Sequence, residues 1–202
     1  MKDISRKANY GLGEIICNAI SLLYTKLFWK KARLIRIPSR IRGKKAIQYG
    51  IGLTTGYSCR MEINGDVINE KKLIIGDNCI MGDYVHIVAN KFVKIGTNVL
   101  IASRVFITDS NHGSYHGDNQ SKPEEQPNNR PMNYAPVAIG NNVWIGENVS
   151  IMPGVYIGNG SIIGANSVVT KNIPDECIAA GIPAKVIKRY NSEKELWIKE
   201  QK

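Results

Sequence analysis

Histidine is nearly missing from this chain of 202 residues, which holds only His86, His112 and His116. Any chemistry that needs an imidazole at neutral pH must therefore use one of three positions. Cysteine is equally sparse and scattered. Cys17, Cys59, Cys79 and Cys177 form neither a disulfide framework nor a C-x-x-C metal pattern. That usage suits a reducing cytoplasm. Long apolar runs are absent too. The longest uncharged stretch of the N-terminal arm, Ile15 to Thr25, is too short to span a bilayer, and no small-residue cleavage site follows a basic start. Charge is unevenly placed: residues 1–45 hold twelve Lys or Arg against Asp3 and Glu14, a net of +10, so the whole formal charge of +10 sits there. No nucleic-acid-binding motif accompanies that charge, and nucleic acid is not expected as a partner.

What the chain does have is a period of six. From Val137 to Thr170 an aliphatic residue recurs at Ile139, Ile145, Ile151, Ile157, Ile163 and Val169, and a second inward candidate stands two places before each. A helix would show a period near 3.6 and a paired strand a period of 2. A period of six instead fits short strands joined by tight turns, with glycine supplying either a positive φ or a close approach after Ile139, Ile145, Ile157 and Ile163. One such repeat cannot bury its own apolar face, so the repeats must stack into a parallel β-helix. The register extends backwards through Ile47/Tyr49, Leu53/Thr55 and Cys59/Met61, which gives about five turns of eighteen residues. Cys59 and Cys79 fall on inward positions and are expected to be small buried hydrophobes. The expected coil covers 46–173. It is interrupted by a short insertion before Leu73 and by a polar excursion over 111–136, and an interruption that long usually carries function.

The flanks read differently. Leu12, Ile16, Ala19, Ile20, Leu23 and Leu27 keep helical spacing and run into Lys30-Lys31-Ala32-Arg33, which predicts a basic amphipathic helix within a 1–45 arm. It could lie on an anionic membrane surface or close the open end of the coil, as every solenoid requires. At the other end, residues 174–202 should form a cap. Ser192 with Glu195 three places on predicts a short helix running to Lys202.

The block Ile139-Gly140-Asn141-Asn142-Val143-Trp144-Ile145-Gly146, with Pro153-Gly154-Val155, Ile163-Gly164-Ala165, Val169-Thr170-Lys171 and Gly181-Ile182-Pro183-Ala184-Lys185, resembles the hexapeptide-repeat acyltransferases over residues 45–190. It is similar to their galactoside and maltose O-acetyltransferase branch. The segment Asp109-Ser110-Asn111-His112-Gly113-Ser114-Tyr115, together with the basic arm, resembles acetyltransferases of lipopolysaccharide and capsule biosynthesis.

The resemblance implies a left-handed all-β coil, a homotrimer with sites between subunits, acetyl-CoA as cosubstrate with no metal, and a sugar or oligosaccharide acceptor from a surface polysaccharide or its lipid-linked precursor. The cysteine usage points to a cytoplasmic location, and the basic arm, if it lies on a membrane rather than only capping the coil, to peripheral contact on the inner face of the cytoplasmic membrane. A sugar hydroxyl attacks a thioester well only as its proton leaves, so a base is needed, and histidine suits that task. The resemblance assigns it to His112, oriented by a backbone carbonyl or by Asp109. Acceptor contacts fall on Asn111, Asp83, Tyr84 and His86, although His86 could equally stack as a surface residue above Phe106. Cofactor contacts fall on Trp144, Gly146, Ala165, Thr170, Lys171, Lys185 and Lys188. Three other readings share the fold: a xenobiotic or small-sugar acetyltransferase, a zinc enzyme like the γ-class carbonic anhydrases, and a non-catalytic binding platform.

Overall fold

The computed structural model describes residues 10–64 and 70–200. The start of the expected arm (1–9), the middle of the insertion (65–69) and the last two residues of the expected C-terminal cap lie outside the described residues.

The sixfold period becomes three faces of a coil. One face stacks Leu34–Ile35, Thr54–Thr55, Ile80–Met81, Leu100–Ile101, Trp144–Ile145, Ile162–Ile163 and Cys177–Gly181. The second stacks Arg40–Arg42, Arg60–Ile63, His86–Ala89, Phe106–Thr108, Ser150–Ile151 and Val168–Val169, and the third Ile47–Tyr49, Leu73–Ile75, Val93–Ile95, Val137–Ile139 and Tyr156–Ile157. Neighbours within these stacks pair in parallel. Like residues consequently stand above one another. Met81, Ile101, Ile145 and Ile163 form one buried column, Ile87, Ile107, Ile151 and Val169 another, and Ile75, Ile95, Ile139 and Ile157 the third. Buried Ser161 and Ser167 interrupt the apolar set without an orphaned hydroxyl: Ser161 donates to the Pro174 carbonyl and Ser167 to that of Gly164.

The turns separate the two uses of glycine that the sequence left open. Asn142, Asn148 and Asn166 hold positive φ near 57–58°, whereas Gly146 does not. A Cβ on Gly146 would lie 2.6 Å from the Ala165 nitrogen, so close approach of adjacent coils is what demands glycine there. The asparagines also pair down two of the corners: Asn98 donates to Asn142 at 3.0 Å on one and Asn148 to Asn166 at 2.9 Å on another.

Two expectations need correction. The coil starts earlier than residue 46, because Leu34–Ile35 and Arg40–Arg42 already pair in parallel with Thr54–Thr55 and Arg60–Ile63. The expected C-terminal helix is instead a hairpin, in which Ala184–Asn191 pairs antiparallel with both Cys177–Gly181 and Leu196–Lys199. A capping box is a local signal, and here a local competitor wins. The Asn191 side chain accepts the Lys194 N–H at 2.8 Å, Glu195 takes a φ of 52°, and Tyr190 packs on Trp197 with centroids 5.3 Å apart.

The expected N-terminal helix is present as α1, Leu12–Phe28. Trp29 follows it into the core, and the Lys44 ammonium sits 4.6 Å from its ring. The helix thereby closes the open end of the coil.

Burial raises the thiol of Cys59 to about 11 and pushes those of Cys79 and Cys177 upward as well. Cys17, on α1, is exposed. Treatment with a chromogenic disulfide reagent is expected to titrate one thiol in the native protein and four after unfolding. A second fast native thiol would contradict the buried column.

Candidate active site

The site is built where the chain leaves the coil. After Phe106–Thr108 the backbone turns outward, and Ser110–His112 pairs antiparallel with Met132–Tyr134, placing His112 opposite Met132. The excursion is thus anchored by a two-stranded ribbon that its polar composition did not announce. Asp109 fixes the root. It is fully buried, and its carboxylate accepts the N–H groups of Asn90 at 2.9 Å, Lys91 at 2.7 Å and Phe92 at 2.7 Å. Its carbonyl accepts the Ala135 N–H at 2.8 Å, tying down the returning strand too. The Asp109 carboxylate, one of the two orienting partners considered for the His112 ring, thus spends its hydrogen bonds on the neighbouring corner.

His112 is exposed. Its own carbonyl accepts the Tyr115 hydroxyl at 2.8 Å, and that hydroxyl accepts from Arg130 at 2.9 Å. Arg130 also donates to the carbonyls of Pro123 and Glu125. One guanidinium thus braces the far side of the excursion. The imidazole is held by its backbone and left open to an incoming group. Beside the ribbon lies an open cavity of about 400 Å³ lined by Asn64, Glu70, Lys72, Asn90, Lys91 and Tyr134. All six are polar. Sequence reasoning missed them, since Tyr134 lies on the ribbon and the other five on segments between strands outside the sixfold register.

The other sequence-predicted residues fall on different parts of the prism. Thr170 and Lys171 follow Val168–Val169 at the same corner as His112. Gly146 and Ala165 stack on the corner between the first and second faces, next to Trp144, which stands half exposed on the first face. Lys185 and Lys188 lie on the C-terminal hairpin. Asp83 and Tyr84 occupy that same first-to-second corner on an earlier coil. There the Asp83 carboxylate accepts the Tyr57 N–H at 2.7 Å, whereas the exposed Tyr84 has Arg104 over its ring. Asp83 is thus a staple between coils. His86 faces outward on the second face, with its ring 5.1 Å from that of Phe106 and Nε2 3.2 Å from Glu62. The Glu62 carboxyl lies below its ordinary range chiefly through its hydrogen bond with Arg60, helped by His86 and Arg42 and opposed by desolvation. Among the described residues, no three His, Cys, Asp or Glu side chains of this chain converge on one point. Within one chain, then, Asn111 and His112 share a strand, Thr170 and Lys171 lie two coils further along the same edge, and the remaining candidates lie elsewhere.

Fold and site together define a coiled-repeat transferase class, and the chain belongs to the hexapeptide-repeat family. The family described as bacterial transferase hexapeptide (six repeats) matches residues 136–171. The chain is 44% identical over 191 residues to the Escherichia coli (strain K12) protein named "Putative lipopolysaccharide biosynthesis O-acetyl transferase WbbJ", covering 94% of this chain and 95% of that one. It is 36% identical to the galactoside O-acetyltransferase of the same organism, over 82% of this chain and 78% of that one. Among solved structures, a mutant form of AntD, an N-acyltransferase from Bacillus cereus in complex with dTDP and coenzyme A, superposes with a TM-score of 0.63. It is 21% identical, covers 81% of this chain and 85% of its own, and therefore speaks to the fold alone.

Proposed function

We propose that this chain is an acetyl-CoA-dependent O-acetyltransferase that acts on a sugar hydroxyl of a surface polysaccharide, such as lipopolysaccharide or capsule, or of its lipid-linked precursor. The observation that carries this reading is His112, exposed on a ribbon whose root is pinned by a buried carboxylate and whose Tyr134 lines a cavity rich in polar residues. The near full-length relationship to a protein named for lipopolysaccharide O-acetylation supplies the acceptor class.

In the proposed reaction the His112 imidazole takes the hydroxyl proton as the sugar oxygen bonds to the thioester carbonyl carbon. The tetrahedral intermediate then collapses, the C–S bond breaks, and the departing thiolate recovers that proton. No covalent enzyme intermediate is needed, because Cys59, Cys79 and Cys177 are buried in the coil and Cys17 lies on α1. Asn111 and the cavity, with Tyr84 and His86 of a neighbouring subunit, would hold the acceptor. Trp144, Gly146 and Ala165 would flank the pantetheine arm together with Thr170 and Lys171. Lys185 and Lys188 would meet the phosphates as point charges.

A homotrimer of left-handed coils is part of the same reading. Two observations support the oligomer: the candidate residues occupy separate corners, and Ile80, Leu100 and Trp144 form an exposed apolar stripe down the first face. A ligand that binds only the folded state raises its unfolding temperature. Acetyl-CoA at about one hundred times its dissociation constant should add ~2.7 kcal/mol, or about 5–10 °C for a chain of this size, and Lys185→Glu should reduce that shift. No shift at saturating acetyl-CoA would remove the cofactor assignment and with it the reaction.

A further inference from the structure

α1 is docked the wrong way round for a helix of a water-soluble coil. Such a helix normally turns its apolar arc inward. Here the buried residues are Ser21 and Thr25, which fasten the helix to the first strand by polar bonds: the Ile35 N–H donates to the Thr25 hydroxyl at 2.8 Å and the Ile37 N–H to that of Ser21 at 3.2 Å. Asn18, one turn earlier, accepts from Arg36 at 3.0 Å and from the Tyr57 hydroxyl at 3.2 Å. The opposite arc runs Leu12, Ile16, Ile20, Leu23 and Leu27 at helical spacing, and these are 76%, 52%, 53%, 61% and 62% exposed. Five large aliphatic side chains in one line form a patch that calls for an occupant.

The surroundings of the arc say which. On one flank a groove of about 450 Å³ combines Leu27, Phe28 and Tyr49 with Lys30, Lys31 and Lys71. On the other flank a groove of about 430 Å³ combines Ala19 and Leu22 with Arg33 and Arg36. Among residues 10–45, Glu14 is the only acidic side chain against nine Lys or Arg. A second copy of the same arm would set like charge against like, whereas an anionic surface answers both the sign of the grooves and the apolarity of the ridge between them. Among the described residues no helix is long and apolar enough to cross a membrane, so the fitting geometry is a helix lying along the surface.

We infer that α1 docks the protein on an anionic lipid bilayer, with the Leu12–Leu27 arc entering the acyl boundary and Lys30, Lys31, Lys71 and Arg33 meeting headgroup phosphates in the flanking grooves. Docking and acetyl transfer are separable, since the arc belongs to the N-terminal end and shares no residue with the candidate active site.

The test is flotation of the full chain with vesicles of phosphatidylcholine alone or mixed with phosphatidylglycerol, at low and high salt. Binding is expected to the mixed vesicles only and to weaken with salt. The double change Ile16→Glu with Leu23→Glu should weaken it about tenfold or more, and Lys30→Glu with Lys31→Glu should do likewise. Both pairs are exposed, so circular dichroism and the acetyl-CoA thermal shift should match the parent. Failure of the parent chain to float, equal binding to uncharged vesicles, or full binding by the Ile16/Leu23 variant would each overturn the inference. A changed subunit count for that variant by analytical ultracentrifugation would overturn it too, by showing that the arc is covered by another copy.

Discussion

Replacing His112 by alanine is expected to lower acetyl transfer about 10³-fold while leaving the unfolding temperature and the acetyl-CoA-induced shift close to those of the parent, because a positioned general base contributes ~10²–10⁴. The expectation follows from how the residue is held. Its main chain is fixed by the ribbon pairing with Met132–Tyr134 and by the Tyr115 hydroxyl on its carbonyl. Its ring is exposed, so removing it opens no cavity and strands no buried partner. A base should behave in just that way: large in turnover, small in stability.

The other two histidines provide the contrast. His86 stacks on Phe106 and reaches Glu62, which ties it to the packing of the second face. His86→Ala should therefore show a modest stability loss of about 1 kcal/mol or less, typical of partly exposed pairs, and, through its proposed place at a neighbouring subunit's acceptor, a raised acceptor KM with kcat largely kept. His116 lies on the exposed outer part of the excursion, and its replacement should change turnover little. If His112→Ala retained normal turnover with purified acetyl-CoA and acceptor, the base assignment would fail. Equal losses from His116→Ala would move it to the loop as a whole.

What the sequence shows and hides here follows from the physics of repeats. The inward residues from Ile47 to Val169 were legible because each coil repeats the constraint of the one before it, and a column of like side chains has no alternative register. His112 was singled out because its short neighbourhood resembles a family motif, and its place on the ribbon is what the structure adds. The ribbon was not, since Ser110–His112 and Met132–Tyr134 are three residues each and are held together by a contact remote in sequence. The first rung, from Leu34 to Arg42, was hidden in the basic arm because its outward face is Arg40 and Arg42, and charge obscured a strand pattern. Ser192 and Glu195 carried a helix-start signal that the Tyr190–Trp197 pair and the Asn191 turn overrode. The period of α1 was readable, but its orientation was not. Periodicity tells which residues share a face and says nothing of which face is buried.

Changing Asp109 to asparagine, which keeps the shape and removes one acceptor atom, is expected to cost about 3 kcal/mol, roughly 6–12 °C of unfolding temperature for a chain of this size. The geometry explains why so small a change should act so strongly. One carboxylate oxygen accepts the Asn90 N–H, while the other accepts those of Lys91 and Phe92 together, both at 2.7 Å. Whichever way the amide is turned, its NH₂ group must face a backbone N–H, so a buried donor meets a donor instead of an acceptor. Asp109→Ala strands all three N–H groups without that repulsion and should fall in the same range. The corner over Asn90–Phe92 also lines the polar cavity, and the Asp109 carbonyl holds the return of the excursion at Ala135. Loosening it should thus displace both the acceptor cavity and the strand that carries His112. Turnover is expected to fall along with stability, and the loss of turnover should persist well below the new unfolding temperature, whereas His112→Ala separates the two. An unfolding temperature within about 2 °C of the parent for Asp109→Asn would mean that this carboxylate does not hold the corner, and the pinned ribbon would no longer explain how His112 is positioned.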